Sequence, residues 1–220
     1  SVGNTNMLSD YAAIKNGSYG KLMKAYYAKQ DAEKLSGKGD TSQKLTLMKT
    51  SADSLKKSAD ALNDSSLWEK KKIKKKDEKT GEEIEVEDYD WDKITKAVKS
   101  FVEDYNDVVK EAGESNTKDV LRNASWMTGM TDKNSNMLAK IGITIGKGNK
   151  LELDEDALKQ ADISSLKTVF TGYNSFVSKI SQKATCISNA ANRASATYTN
   201  NGTYSKTDSS LTSSKIDKEV

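Results

Sequence analysis

Leu45, Met48, Ala52, Leu55, Ala59 and Leu62 follow one another at steps of 3, 4, 3, 4 and 3 residues. That is a heptad seam on one face of a helix. Thr41 or Ser42 is placed to cap its start, and Asn63-Asp64-Ser65-Ser66 ends it. The spacing returns from Asp92 onward with Ile94, Val98, Phe101, Tyr105, Val108 and Ala112, widened by Val102 and Val109 and stopped by Gly113. Thr117 restarts it through Val120, Leu121, Ala124, Met127, Met130, Met137, Leu138 and Ile141, with a break or kink expected at Gly129 and the polar residues 131–136. Leu158 and Ala161 predict a short helix and Ser164-Ser165 a pause. Val169, Tyr173, Phe176, Ile180, Ala184, Ile187, Ala191 and Ala194 predict a last long helix. Upstream, Tyr11, Ile14, Leu22, Ala25, Tyr26 and Ala32 predict a helix over residues 7–35. Gly17 and Gly20 make its first part irregular, each costing about 1 kcal/mol relative to Ala. Residues 36–40 read as a Gly-rich linker.

Two stretches depart from this period. Ile141, Ile143 and Ile145 alternate, Gly146, Gly148 and Asn149 supply a turn, and Leu151 and Leu153 alternate again. This predicts a small β-hairpin running into a helix capped by Asp154, with Glu155 and Asp156 favourable in its first turn. Over residues 67–91, Lys70, Lys71, Lys72, Lys74, Lys75 and Lys76 come first. A turn ending at Gly81 follows, then Glu82, Glu83, Glu85, Glu87, Asp88 and Asp90. The matched arms predict an antiparallel hairpin whose cross-strand charges neutralise each other. Trp68 and Trp91 stand at its feet and are expected to pack together.

Composition sharpens the helical picture. The 220 residues are 35% hydrophobic and 30% charged, a balance that suits thin helical layers better than a thick core. The chain has no proline, which permits long helices. It also has no histidine, which removes the commonest general base and metal ligand. The single cysteine, Cys186, can form neither an internal disulfide nor a cysteine metal cluster, and its apolar neighbours make it a buried or half-buried filler. Met127, Met130 and Met137 read as core rather than as a groove. The net charge of +3 gives no pull toward nucleic acid, and the acidic arm of the hairpin offsets the lysine cluster. No apolar run approaches the ~20 residues of a membrane span, and no signal peptide is visible. The chain opens Ser1-Val2-Gly3 without methionine, so it is expected to be an excised fragment.

Candidate chemistry is sparse. Asp154, Glu155 and Asp156 lack the alternating ligands of a calcium loop, and capping accounts for Asp154. Gly146-Lys147-Gly148 lacks the ending of a phosphate loop. The sequence offers no catalytic residue, no cofactor-binding residue and no metal site, and the chain is expected not to be an enzyme.

Residues 92–195 resemble the C-terminal half of the bacterial flagellar hook-associated protein 2 family, the filament cap. Phe101-Val102-Glu103-Asp104-Tyr105-Asn106 matches one phrase of that family. Ile141-Gly142-Ile143-Thr144, Gly148, Leu151-Glu152-Leu153-Asp154 and Leu158 match a second, and Leu166-Lys167-Thr168-Val169-Phe170-Thr171-Gly172 is similar to a third. Cap proteins carry sizeable β-rich domains between their helical parts, and here a short charged hairpin stands in that place. The resemblance implies the helical stem of a cap-like structural protein. Such a protein is extracellular, on the flagellum, and associates with itself through helical seams or with flagellin or other flagellar proteins.

The expected fold is mainly α: an elongated antiparallel helical bundle with one charged β-hairpin insertion and one small β-hairpin near 141–153. The expected divisions are N-terminal helices over 1–66, the hairpin insertion over 67–91, a cap-like helical region over 92–197 and a disordered polar tail over 198–220. The competing reading is a stand-alone secreted or surface binding module that uses the charged hairpin for adhesion.

Overall fold

Helical seams dominate the computed structural model, which describes residues 39–211, with side chains as far as Thr197. The helix expected over residues 7–35 lies outside the described residues, and so do residues 212–220. The described residues are mainly α, with two antiparallel sheets of two strands each.

Helix α1 (Ser42–Leu62) begins where Thr41 Oγ1 accepts a hydrogen bond from the Lys44 N–H at 3.2 Å, and all six of its seam positions are buried. A single 3-10 turn (Ser65–Trp68) leads into strands β1 (Lys71–Lys76) and β2 (Glu83–Asp88). Helix α2 (Trp91–Gly113) starts one residue before Asp92, because the Asp90 carboxylate accepts from the Lys93 N–H at 3.1 Å. Helices α3 (Lys118–Lys133) and α4 (Ser135–Ala139) follow, then strands β3 (Ile143–Ile145) and β4 (Leu151–Leu153). The chain continues through helices α5 (Glu155–Gln160), α6 (Ile163–Phe170) and α7 (Phe176–Leu211). The last helix thus enters the polar stretch from residue 198 and runs to Leu211.

The start of α1 meets the end of α2, where Lys44 Nζ donates to the Glu114 carbonyl at 3.3 Å. Asp53 and Asp60 of α1 meet Ser188 and Ser181 of α7, in reverse order along the chain. Helix α1 is therefore antiparallel to both α2 and α7 and lies against both, while α3 packs on α7. One continuous core runs from Leu45 to Ala191. At its centre Phe101 meets the rings of Tyr105, Phe176 and Phe170 at 6.2, 6.3 and 6.5 Å. Each fully buried side chain of this kind stabilises the fold by about 1.5–3 kcal/mol.

The small hairpin pairs Ile143 with Leu153 and Ile145 with Leu151, and Asp154 caps α5 by accepting from the Ala157 N–H at 3.0 Å. Gly142 makes the turn possible. Its φ is +86°, and a Cβ there would lie 2.6 Å from the Asp154 carbonyl oxygen and 2.9 Å from the Leu158 nitrogen. No other residue type fits such an approach.

Four local expectations are corrected. The last long helix starts at Phe176, so Val169 belongs to α6 and Tyr173 lies in the connecting turn, 82% exposed. The cause is Gly172 at φ +99°, held by Asn63: its N–H donates to Asn63 Oδ1 at 2.8 Å, and its carbonyl accepts from Asn63 Nδ2 at 3.3 Å. The pause falls before Ile163, at the extended Ala161, and not at Ser164-Ser165. Gly129 stays inside α3 and is buried, while the break comes at Asn134, within the expected polar stretch 131–136. Trp68 and Trp91 do not make a ring pair. The Trp68 ring stacks on Phe170 at 5.6 Å and its Nε1–H donates to the Leu62 carbonyl at 2.7 Å, whereas Trp91 meets Tyr89 edge-on at 6.2 Å.

Candidate functional site

The polar side chains of the helical bundle are placed to join helices. On α1, Lys49 and Asp53 are a turn apart, as are Lys56 and Asp60 seven residues further on. Ser188 Oγ donates to Asp53 at 2.6 Å and Ser181 Oγ to Asp60 at 2.6 Å, so the same Lys–Asp–Ser device repeats one heptad apart along the α1–α7 seam. Burial pushes both carboxyl groups up. Hydrogen bonds from the lysine and the serine, with the lysine charges, outweigh it and hold both below the ordinary carboxylate range.

A second junction lies where the described chain begins. The Asp40 carboxylate accepts from Ser115 Oγ at 2.6 Å, the Asn116 N–H at 2.8 Å, the Thr117 N–H at 3.0 Å and Thr117 Oγ1 at 2.6 Å. Thr117 precedes α3 and makes no capping bond with its own side chain, and Asp40 fixes the entry to that helix from across the fold. Burial raises its pKa, but the bonds from Ser115, Thr117 and Asn116, with the Lys44 charge, bring the net value below the ordinary one. Beside it opens a cleft of about 510 Å³ lined by Asp40, Leu45, Asn116, Arg122 and Ala194.

A third junction fixes the small hairpin to α2. Asn106 Nδ2 donates to the Leu151 carbonyl at 2.9 Å and its Oδ1 accepts from the Leu151 N–H at 2.7 Å. The amide thus stands in for a neighbouring strand at the open edge of β4. Its neighbour Tyr105 is fully buried and donates to Thr131 Oγ1 at 2.8 Å, and burial raises the pKa of the phenol. Among the described residues, no group of three or more His, Cys, Asp and Glu is placed to hold a metal ion. No helix among them is long and apolar enough to cross a membrane. Met127 is core, with Met130 and Met137 packed against it, and Cys186 is half-buried on α7.

The charged hairpin is built differently. Its register sets Lys71 against Asp88, Lys72 against Glu87, Lys74 against Glu85 and Lys76 against Glu83. Lys72, Lys74, Lys76, Glu83, Glu85 and Glu87 share one face, which follows from the alternation of side chains along each strand. The opposite face carries Ile73 beside Val86 and Lys75 beside Ile84. The turn is closed by the Asp77 carboxylate, which accepts from the Lys79 N–H at 2.7 Å, and by Gly81 at φ +70°. Only Lys72–Glu85, at 4.0 Å, and Lys75–Asp88 form ion pairs within it among the described residues. Lys70 sits over the Tyr89 ring at 5.7 Å.

Sequence reasoning found the two hairpins and the seams but missed Asp40, Asn63 and Asn106 as junction residues. Their partners lie far away in sequence, and the only local signal is a polar residue beside a buried seam.

The C-terminal model of flagellar hook-associated protein 2 matches residues 115–219. The match covers α3 to α7 and both small strands, and so contains the second and third phrases of the resemblance, whereas Phe101–Asn106 on α2 lies before it. No curated protein and no solved structure matches the chain. Residues 115–219 are thus similar to the C-terminal region of the flagellar hook-associated protein 2 family.

Proposed function

We propose that this chain is a non-enzymatic structural protein related to the flagellar filament cap, acting extracellularly by helix packing with copies of itself or with flagellin. The family match over residues 115–219 carries the reading. The chemistry of the stem supports it: Asp40, Asp53, Asp60, Asn106 and Tyr105 all spend their polar groups on holding one element to another. Helix α1 shares its core with α2 and α7, so the stem comprises α1 together with the cap-like region 92–197, and the hairpin 67–91 is an insertion between them. Size-exclusion chromatography with light scattering, on the full chain with and without flagellin, tests the proposal. Assembly into rings or filaments, or co-elution with flagellin, is the expected result. A monomer indifferent to flagellin would overturn it in favour of the surface binding module.

A further inference from the structure

The sheet of β1 and β2 has two strands and therefore two open edges, and these edges carry opposite charge. One edge is Lys71, Lys72, Lys74, Lys75 and Lys76 with a single Ile73, and the other is Glu83, Glu85, Glu87 and Asp88 with Ile84 and Val86. Open edges present unpaired backbone donors and acceptors that template another strand. We propose that β1 of one copy of this chain adds to the outer edge of β2 of a second copy, head to tail, with Lys72, Lys74 and Lys76 of one set against Glu83, Glu85 and Glu87 of the other.

Charge decides which edges can meet. Pairing β1 with β1, or β2 with β2, sets like charges opposite each other and is disfavoured. Pairing β2 with the β1 of a second copy repeats the pattern already present inside the hairpin. The incoming lysines would meet the β2 carboxylates at the strand spacing of about 4.8 Å and the lysines of β1 at about twice that, so attraction exceeds repulsion. The hairpin leaves charge available for this contact, since Lys71, Lys74, Lys76, Glu83 and Glu87 are in no ion pair among the described residues. The other face agrees. Ile84 is 39% exposed, with Ile73 and Val86 half-buried, and hairpins set side by side would bring these side chains into one covered row. A head-to-tail contact repeats, so it closes into a ring or continues as a filament. This hairpin contact is separate from the helical seams and stands or falls independently of them.

Sedimentation velocity of the full chain across ionic strength tests it. Larger species are expected in about 20 mM NaCl than in about 1 M, as the Debye length falls from about 20 Å to about 3 Å. The variant Glu83→Gln, Glu85→Gln, Glu87→Gln is expected to raise the dissociation constant at least about tenfold while keeping its helical circular dichroism. A charge-swapped chain, with Lys72, Lys74 and Lys76 changed to Glu and Glu83, Glu85 and Glu87 changed to Lys, keeps opposite charges across its own hairpin. It is expected to associate with itself, with the same salt dependence as the wild-type chain. The triple glutamine variant carries the test alone if the swap unfolds the hairpin. A wild-type monomer at low salt, association that does not weaken between about 20 mM and 1 M NaCl, or an unchanged dissociation constant in the triple glutamine variant would overturn the proposal.

Discussion

The α1–α2–α7 seam and the β1–β2 hairpin are both periodic and both antiparallel, yet different physics holds each together. In the seam, Leu55, Ala59, Leu62, Ile94, Val98 and Phe101 have no exposed surface. Polar groups such as Asp53 and Asp60 only add to what burial already fixes. In the hairpin, the side chains are exposed or half-buried, and each ion pair contributes under about 1 kcal/mol. Burial of apolar surface is insensitive to salt, whereas the hairpin's charges are screened by it. The stem can therefore serve as a fixed body and the hairpin as an element that responds to its surroundings.

The largest expected break in this comparison is Phe101→Ala, which removes the ring around which Tyr105, Phe170 and Phe176 pack, at a cost of ~3–5 kcal/mol in urea melts. Phe176→Ala belongs to the same class. Gly142→Ala comes next, at ~2–4 kcal/mol by the same measurement, because a side chain at positive φ is strained and its Cβ collides with backbone. Asp40→Asn is expected to cost about 1–2 kcal/mol by weakening the bonds to Ser115, Asn116 and Thr117. The folded pKa of Asp40 lies below its unfolded value, so its stabilisation is present above the unfolded value and is lost as pH falls through the folded one. An acid titration of stability should accordingly differ between wild type and Asp40→Asn at neutral pH and converge well below pH 4. The smallest effect sharpens the contrast: Lys72→Gln, Lys74→Gln, Lys76→Gln should shift stem stability by no more than about 0.5 kcal/mol, with helical circular dichroism unchanged.

What the sequence made legible follows from range. The seam on α1, the start of α5 at Asp154 and the pairing of the lysine and glutamate arms are set by neighbours within a few residues, and each was readable as spacing. The turn at Gly172 was not, because Asn63, which holds it, lies on the far side of two hairpins and five helices. Tyr173 fits the helical period by number alone, and only that turn puts it in solvent. Trp68 and Trp91 both flank the hairpin, which suggests a pair, but the core offers Trp68 the flat face of Phe170, and no local pattern records that. Asp40 sat in what read as a linker. Its role in holding the entry to α3 depends on two chain segments meeting at one end of the bundle.

Hydrogen exchange followed by mass spectrometry, run on the full chain at low and high ionic strength, tests the division most directly. Amides of α1, α2 and α7 should exchange only through global unfolding and equally slowly in both conditions, while amides of β1 and β2 should be protected at low salt and exchange rapidly at high salt. Hairpin amides as protected as those of α2 at high salt, or stem protection that falls as salt rises, would contradict the account.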